Sequence, residues 1–110
     1  MDAWREGRVR VRHVVMWRLR DDAGGVGRKE YAALLAGELE ALGGLIPGIL
    51  SIEAGVDDGC PGEGFDLVLV SDFPDWDALE AYQRHPEHER VRALVAGAAA
   101  SRAVVDYQLS

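Results

Sequence analysis

The chain has 110 residues, 48% of them apolar and 28% charged, which is enough for one domain with a single core and too few for two. Nineteen acidic against twelve basic residues leave a net charge of -7, which repels phosphate backbones and removes the counterion release that drives nucleic-acid binding. No run approaches the ~20 apolar residues of a membrane helix, and the opening "MDAWREGR" has neither the apolar stretch nor the cleavage site of a secretory signal, so a cytoplasmic location is expected.

Residues 1–8 read as an N-terminal extension and 9–110 as the domain. Over 9–19 the odd positions Val9, Val11, Val15, Trp17 and Leu19 are apolar while the even ones include Arg10, Arg12 and Arg18, a period of two that predicts a strand. Over 28–42, Tyr31, Leu34, Leu35, Leu39 and Leu42 fall on one helical stripe, which Gly43-Gly44 ends before Pro47-Gly48 turns the chain. A second strand is expected at 49–56, a loop at 57–64, and a third strand rich in Leu and Val at 65–73. Cys60, in the loop "DDGCPGEG", has no second cysteine and no nearby histidine, so it builds neither a disulfide nor a zinc site. Asp75 can cap a short helix reaching Tyr82, Pro86 opens another with Val91, Leu94, Val95 and Ala98 on one face, and 103–109 close as a fourth strand.

The order βαββαβ predicts an α+β, ferredoxin-like domain: an antiparallel sheet in strand order 4-1-3-2 with the helices on one face. Its other face is then bare. There the first strand carries Val14 and Met16 between Arg12 and Arg18, and the third carries Val68 and Val70 between Asp66 and Asp72. Laid antiparallel, the two match in one register, with Arg12 opposite Asp72, Val14 opposite Val70, Met16 opposite Val68 and Arg18 opposite Asp66. An apolar centre on an open sheet calls for a lid, and the economical lid is a second copy, so a homodimer is expected.

The same register sets His13 opposite Ser71 on the helix-facing side. A buried imidazole needs a partner, so either Ser71 satisfies it or a polar cavity reaches it. In "AYQRHPEHERV" His85 precedes proline and marks a break between two helices. Beyond the break, His88 lies about 60° from Val91 and about 20° from Val95 around the helix, and so points toward the core stripe. Across such a break the relative direction of Tyr82 and His88 does not follow from spacing.

Together "RHVVMWRL", "IPGI", "EGFDLVLVSDF", "ALEAYQRHPEH" and "RAVVDYQL" resemble the stress-responsive dimeric α/β-barrel (Dabb) family over about residues 12–109. The resemblance implies a homodimer whose sheets close into a barrel. It names no single function: some plant members are enzymes, a polyketide cyclase using intramolecular aldol chemistry and a hydroxynitrile lyase. Carried over by motif position, the proposed base falls on His88, the second histidine of HPxH. The orienting tyrosine falls on Tyr82 and the first-strand histidine of the pocket on His13. Ser71, Trp17 and His85 complete the expected site as substrate-binding residues.

This chemistry is sound on its own terms, because an aldol step needs a base that is largely neutral near pH 7 and imidazole, with a pKa of about 6.5, supplies one. The sequence has no nucleophile triad, phosphate-cradling loop or dinucleotide fingerprint, so a cofactor-free lyase or cyclase acting on a small carbonyl or polyketide-like compound is the catalytic reading. His85, Glu87, His88 and Glu89 crowd one turn, yet no third ligand joins them from elsewhere, and no metal is expected. The competing reading is a non-catalytic homodimer that binds a small hydrophobic ligand or persists as a stress-associated structural protein. In that case His13 and Ser71 are a satisfied core pair and His88 fills space. One shared cavity would favour the first reading, and tight packing the second.

Overall fold

The structure, a computed structural model, describes residues 10–59 and 64–109; Cys60 and Val9 lie outside them. Four strands, β1 (Val11–Leu19), β2 (Ser51–Val56), β3 (Leu67–Phe73) and β4 (Ala99–Gln108), and three helices, α1 (Arg28–Ala41), α2 (Trp76–Arg84) and α3 (Pro86–Ala96), follow the order expected. They form one antiparallel sheet in the order β2-β3-β1-β4, the ferredoxin-like arrangement.

Alternation fixes the faces of β1. Val11, His13, Val15, Trp17 and Leu19 are buried, while the residues between them are half-exposed. The buried set packs with Leu67, Leu69 and Phe73 of β3 and, beneath the helices, with Leu35, Leu39, Leu79, Tyr82, Val91 and Val95. The register between β1 and β3 is the one expected, Arg12 opposite Asp72, His13 opposite Ser71, Val14 opposite Val70 and Met16 opposite Val68.

One end of the register behaves differently. Arg12 grips Asp72 through two hydrogen bonds of 2.7 and 2.9 Å, and this contact holds the Asp72 carboxyl below its ordinary range. The expected partnership of Arg18 with Asp66 is absent from the other end: the ladder stops at Trp17 and Leu67. Asp66 turns its carboxylate to the backbone N–H of Leu19 at 2.7 Å, and the Arg18 guanidinium lies 5.1 Å from the centre of the Phe65 ring. A stacked cation and a carboxylate closing a strand end satisfy both groups without their meeting.

Other differences are local. The inner face of α1 is Ala32, Leu35, Ala36 and Leu39, so Leu34, read as core, is 61% exposed, and Leu94 of α3 is exposed as well. A 3-10 turn, Leu42–Gly44, prolongs α1. It approaches β2 so closely that a Cβ on Gly43 would sit 2.8 Å from Ile52, which is why glycine stands there. β4 begins four residues earlier than expected, because Ser101 pairs with Arg18 and Ala99 with Leu19 across a register shift. Backbone pairing carries this alanine-rich segment, whose side chains show no alternation.

Candidate active site

The site forms where β1, β3 and β4 pass beneath α2 and the start of α3. His13 stands in a row across three strands, with Ser71 of β3 on one side and Asp106 of β4 on the other. Cross-strand neighbours share a face, so all three side chains point toward the helices. His13 is 2% and Ser71 0% exposed.

The partner of His13 is Asp106, not Ser71. His13 Nδ1 lies 2.5 Å from Asp106 Oδ1. A carboxylate accepts, so Nδ1 carries the proton and, in the neutral ring, Nε2 carries the lone pair. Sequence reasoning missed Asp106. The signal was available in the parity of β4, once Val14 is set opposite Val105, as it is in the sheet. Asp106 keeps 28% of its side chain exposed and borders a groove of about 320 Å3 lined by Trp76, Leu79, Glu80 and Gln83.

Tyr82 comes from α2, whose Asp75 cap accepts the Ala78 N–H at 2.8 Å. Leu79 and Tyr82, one helical turn apart, are the buried residues of this helix. The Tyr82 ring packs 5.0 Å from Phe73, 6.1 Å from His13 and 4.5 Å from His88, centre to centre. The structure therefore gathers His13, Tyr82 and His88 into one contiguous run, with the phenol in the middle.

The pre-proline break makes this meeting possible. His85, in extended conformation (φ -68°, ψ 138°), ends α2 and caps α3 at once, its Nδ1 accepting the Glu87 N–H at 3.1 Å. Pro86 then starts α3, and the chain turns so that His88, at the third helical position, lies over the last turn of α2. His88 Nδ1 donates to the Gln83 carbonyl at 3.2 Å, which leaves Nε2 as the unprotonated nitrogen of the neutral ring. Burial lowers its pKa, and the bond to Gln83 opposes the shift only in part. Burial likewise pushes the Tyr82 hydroxyl up to about 12, so it remains a protonated donor throughout the neutral range.

Two hydroxyls in this region, Ser71 Oγ and the Tyr82 OH, are buried with no hydrogen-bond partner. Trp17 shares the face of His13 but lies four residues along the strand, about 13 Å away, inside the core. Sheet geometry does not bring it to the cluster. His85 has its Nδ1 engaged in the cap. Among the described residues no group of three or more His, Cys, Asp or Glu is arranged to hold a metal ion, and no helix is long and apolar enough to cross a membrane.

Fold and site together define a ferredoxin-like α+β domain with a histidine and tyrosine cluster between sheet and helices. The chain belongs to the stress responsive A/B barrel domain family, Dabb, which it matches over residues 11–109. It is similar to an uncharacterized protein of Streptomyces coelicolor, 35% identical over 85 residues that cover 76% of this chain and 84% of the relative. A dimeric ferredoxin-like protein of unknown function from Bacteroides fragilis is 36% identical with a TM-score of 0.79, over 91% of this chain and 96% of that one. The hydroxynitrile lyase of Passiflora edulis superimposes with a TM-score of 0.78 over 94% of this chain and 95% of its own, at 17% identity, a likeness of fold.

Proposed function

We infer that the protein is a cofactor-independent lyase or cyclase acting on a small carbonyl compound, with His88 as base, Tyr82 holding the substrate oxygen and His13, oriented by Asp106, assisting. In the cleavage direction His88 Nε2 takes the hydroxyl proton of a β-hydroxycarbonyl compound or a cyanohydrin. The oxygen lone pair then forms the C=O bond as the adjacent C–C bond breaks, and the carbanion or cyanide leaves with its electron pair and is protonated. A positioned imidazole contributes about 10²- to 10⁴-fold to such a step. The carrying observation is the unpartnered Tyr82 hydroxyl inside the run His13, Tyr82, His88. The hydroxynitrile lyase sharing this fold lends the lyase direction further support.

The reading includes a homodimer, in keeping with the dimeric relative from Bacteroides fragilis. It is supported by the sheet face away from the helices, where Val14 lies between Val70 and Val105, and Met16 between Val68 and Ala103, with Val105 59% exposed. A cytoplasmic location belongs to the same reading.

The test is release of benzaldehyde from mandelonitrile, and of aldehyde from a panel of β-hydroxyketones, by the protein and by His88→Gln. Turnover that drops about 10²- to 10⁴-fold in the variant, with little change in melting temperature, supports the reading. An unaffected rate, or no turnover by either, removes it. The near-complete burial of His13 and Tyr82 favours the second reading, a non-catalytic small-molecule-binding dimer, in which His88→Gln lowers the melting temperature and no turnover is seen.

A further inference from the structure

The groove that Asp106 borders lies beside the acid/base cluster, and the chemistry proposed above has no use for its walls. It holds about 320 Å3 between α2 and the end of β4 and is lined by Trp76, Asp77, Leu79, Glu80, Gln83 and Asp106. Trp76 stands at the first position of α2 with 46% of its surface exposed, and Leu79 beside it is buried. A large indole left open at the rim of a concavity marks a surface that another segment covers. The charges here are of one sign. Glu80 is met by Arg84 of its own helix at 3.2 Å and Asp106 by His13, while no ion pair among the described residues reaches Asp77. Such a groove fits an aromatic group flanked by cations.

The chain carries a segment of that character next to it. Residues 1–9, outside the described part, read "MDAWREGRV"; with Arg10 they hold three arginines, Arg5, Arg8 and Arg10, against Asp2 and Glu6, a balance of +1 in a chain of net charge -7. The point where they join the fold is fixed. The Arg10 carbonyl accepts the Leu109 N–H at 2.9 Å, Val11 pairs with Gln108 on one side and Phe73 on the other, and Trp76 follows Phe73 by three residues. Asp106 lies opposite His13, three positions along the strand from Arg10, or about 10 Å. The six residues from Arg10 back to Trp4 span up to about 20 Å, enough to cross the groove. We propose that residues 1–9 fold back over this groove, with Trp4 covering Trp76 and Leu79, and Arg5 and Arg8 facing Asp77 and Glu80. The segment then shields the exposed flank of Asp106 from water. This contact holds whether or not His88 acts as a base.

The test is amide hydrogen exchange of the full chain at low salt, where exposed charges act most strongly, together with NMR contacts of the Trp4 ring. Wild-type protein is expected to protect residues 4–8 about tenfold relative to a free peptide of the same sequence, with Trp4 ring protons in contact with the Leu79 methyls. Arg5→Glu combined with Arg8→Glu is expected to lose that protection, and adding Asp77→Lys and Glu80→Lys to the same chain to restore it. Trp76→Ala should lose it as well, with the circular dichroism of the fold retained. Wild-type exchange at the free-peptide rate, Trp4 contacts to Val14 or Val105 on the opposite face of the sheet, or a charge reversal that restores nothing overturns the proposal.

Discussion

Burial pushes an imidazole and a phenol toward the same state, the neutral one, though their pKa values move in opposite directions. His88 is held below its ordinary value and Tyr82 is raised to about 12, so between them stand a base ready at neutral pH and a hydroxyl that stays a donor. The acid limb of the pH–rate profile should therefore have its midpoint below about 6.5, the unperturbed imidazole value. A midpoint at or above that value would contradict His88 as the titrating base. The same shift sets a stability slope. The unfolded chain takes up the His88 proton at higher pH than the folded one, so stability falls as pH drops through the ordinary imidazole value toward the lowered one. His88→Gln should flatten that slope in melting curves taken from pH 7.5 to 5. His13, Tyr82 and His88 could be named from motif and periodicity, but their contact could not. Nor could Asp106, since a polar residue near the end of an edge strand reads as solvated until the register with β1 is known.

At the scale of elements, capped helix ends set the positions of Tyr82 and His88. Asp75 starts the helix that carries Tyr82, and its carboxylate accepts the Ala78 N–H. Asp75→Ala should lower stability by about 1 kcal/mol and, by loosening the first turn of α2, raise KM more than it lowers kcat; equal melting temperatures for the two proteins would show that the cap contributes nothing. The HP step was legible as a break because proline restricts the residue before it. Its bend was not, because the path of a chain across a non-helical residue is decided by what both helices bury. Leu34 and Leu94 show the converse weakness of periodicity: a stripe counted too wide takes in residues at its margin, and the sheet covers only the narrower arc of Ala32, Leu35, Ala36 and Leu39, or of Val91 and Val95.

For the whole molecule, register was the most legible feature, since β1 and β3 carry matched patterns of charge and apolar residues that one alignment satisfies. Its outward layer, Val14, Met16, Val68, Val70 and the exposed Val105, gives a direct prediction for assembly. Val14→Glu sets a carboxylate in the middle of that layer and should convert a dimer into a monomer in sedimentation velocity, with the circular dichroism of the fold retained; an unchanged sedimentation coefficient would place the contact elsewhere. Parity divides labour in this sheet. His13 adjoins Val14, Ser71 adjoins Val70 and Asp106 adjoins Val105, each pair turning one side chain toward the helices and the next toward the outer face of the sheet. One residue inserted ahead of these positions in a central strand would turn the imidazole to the outer face and a valine to the helices. Both faces would be lost in a single mutational step, so loops should absorb the length changes these strands cannot.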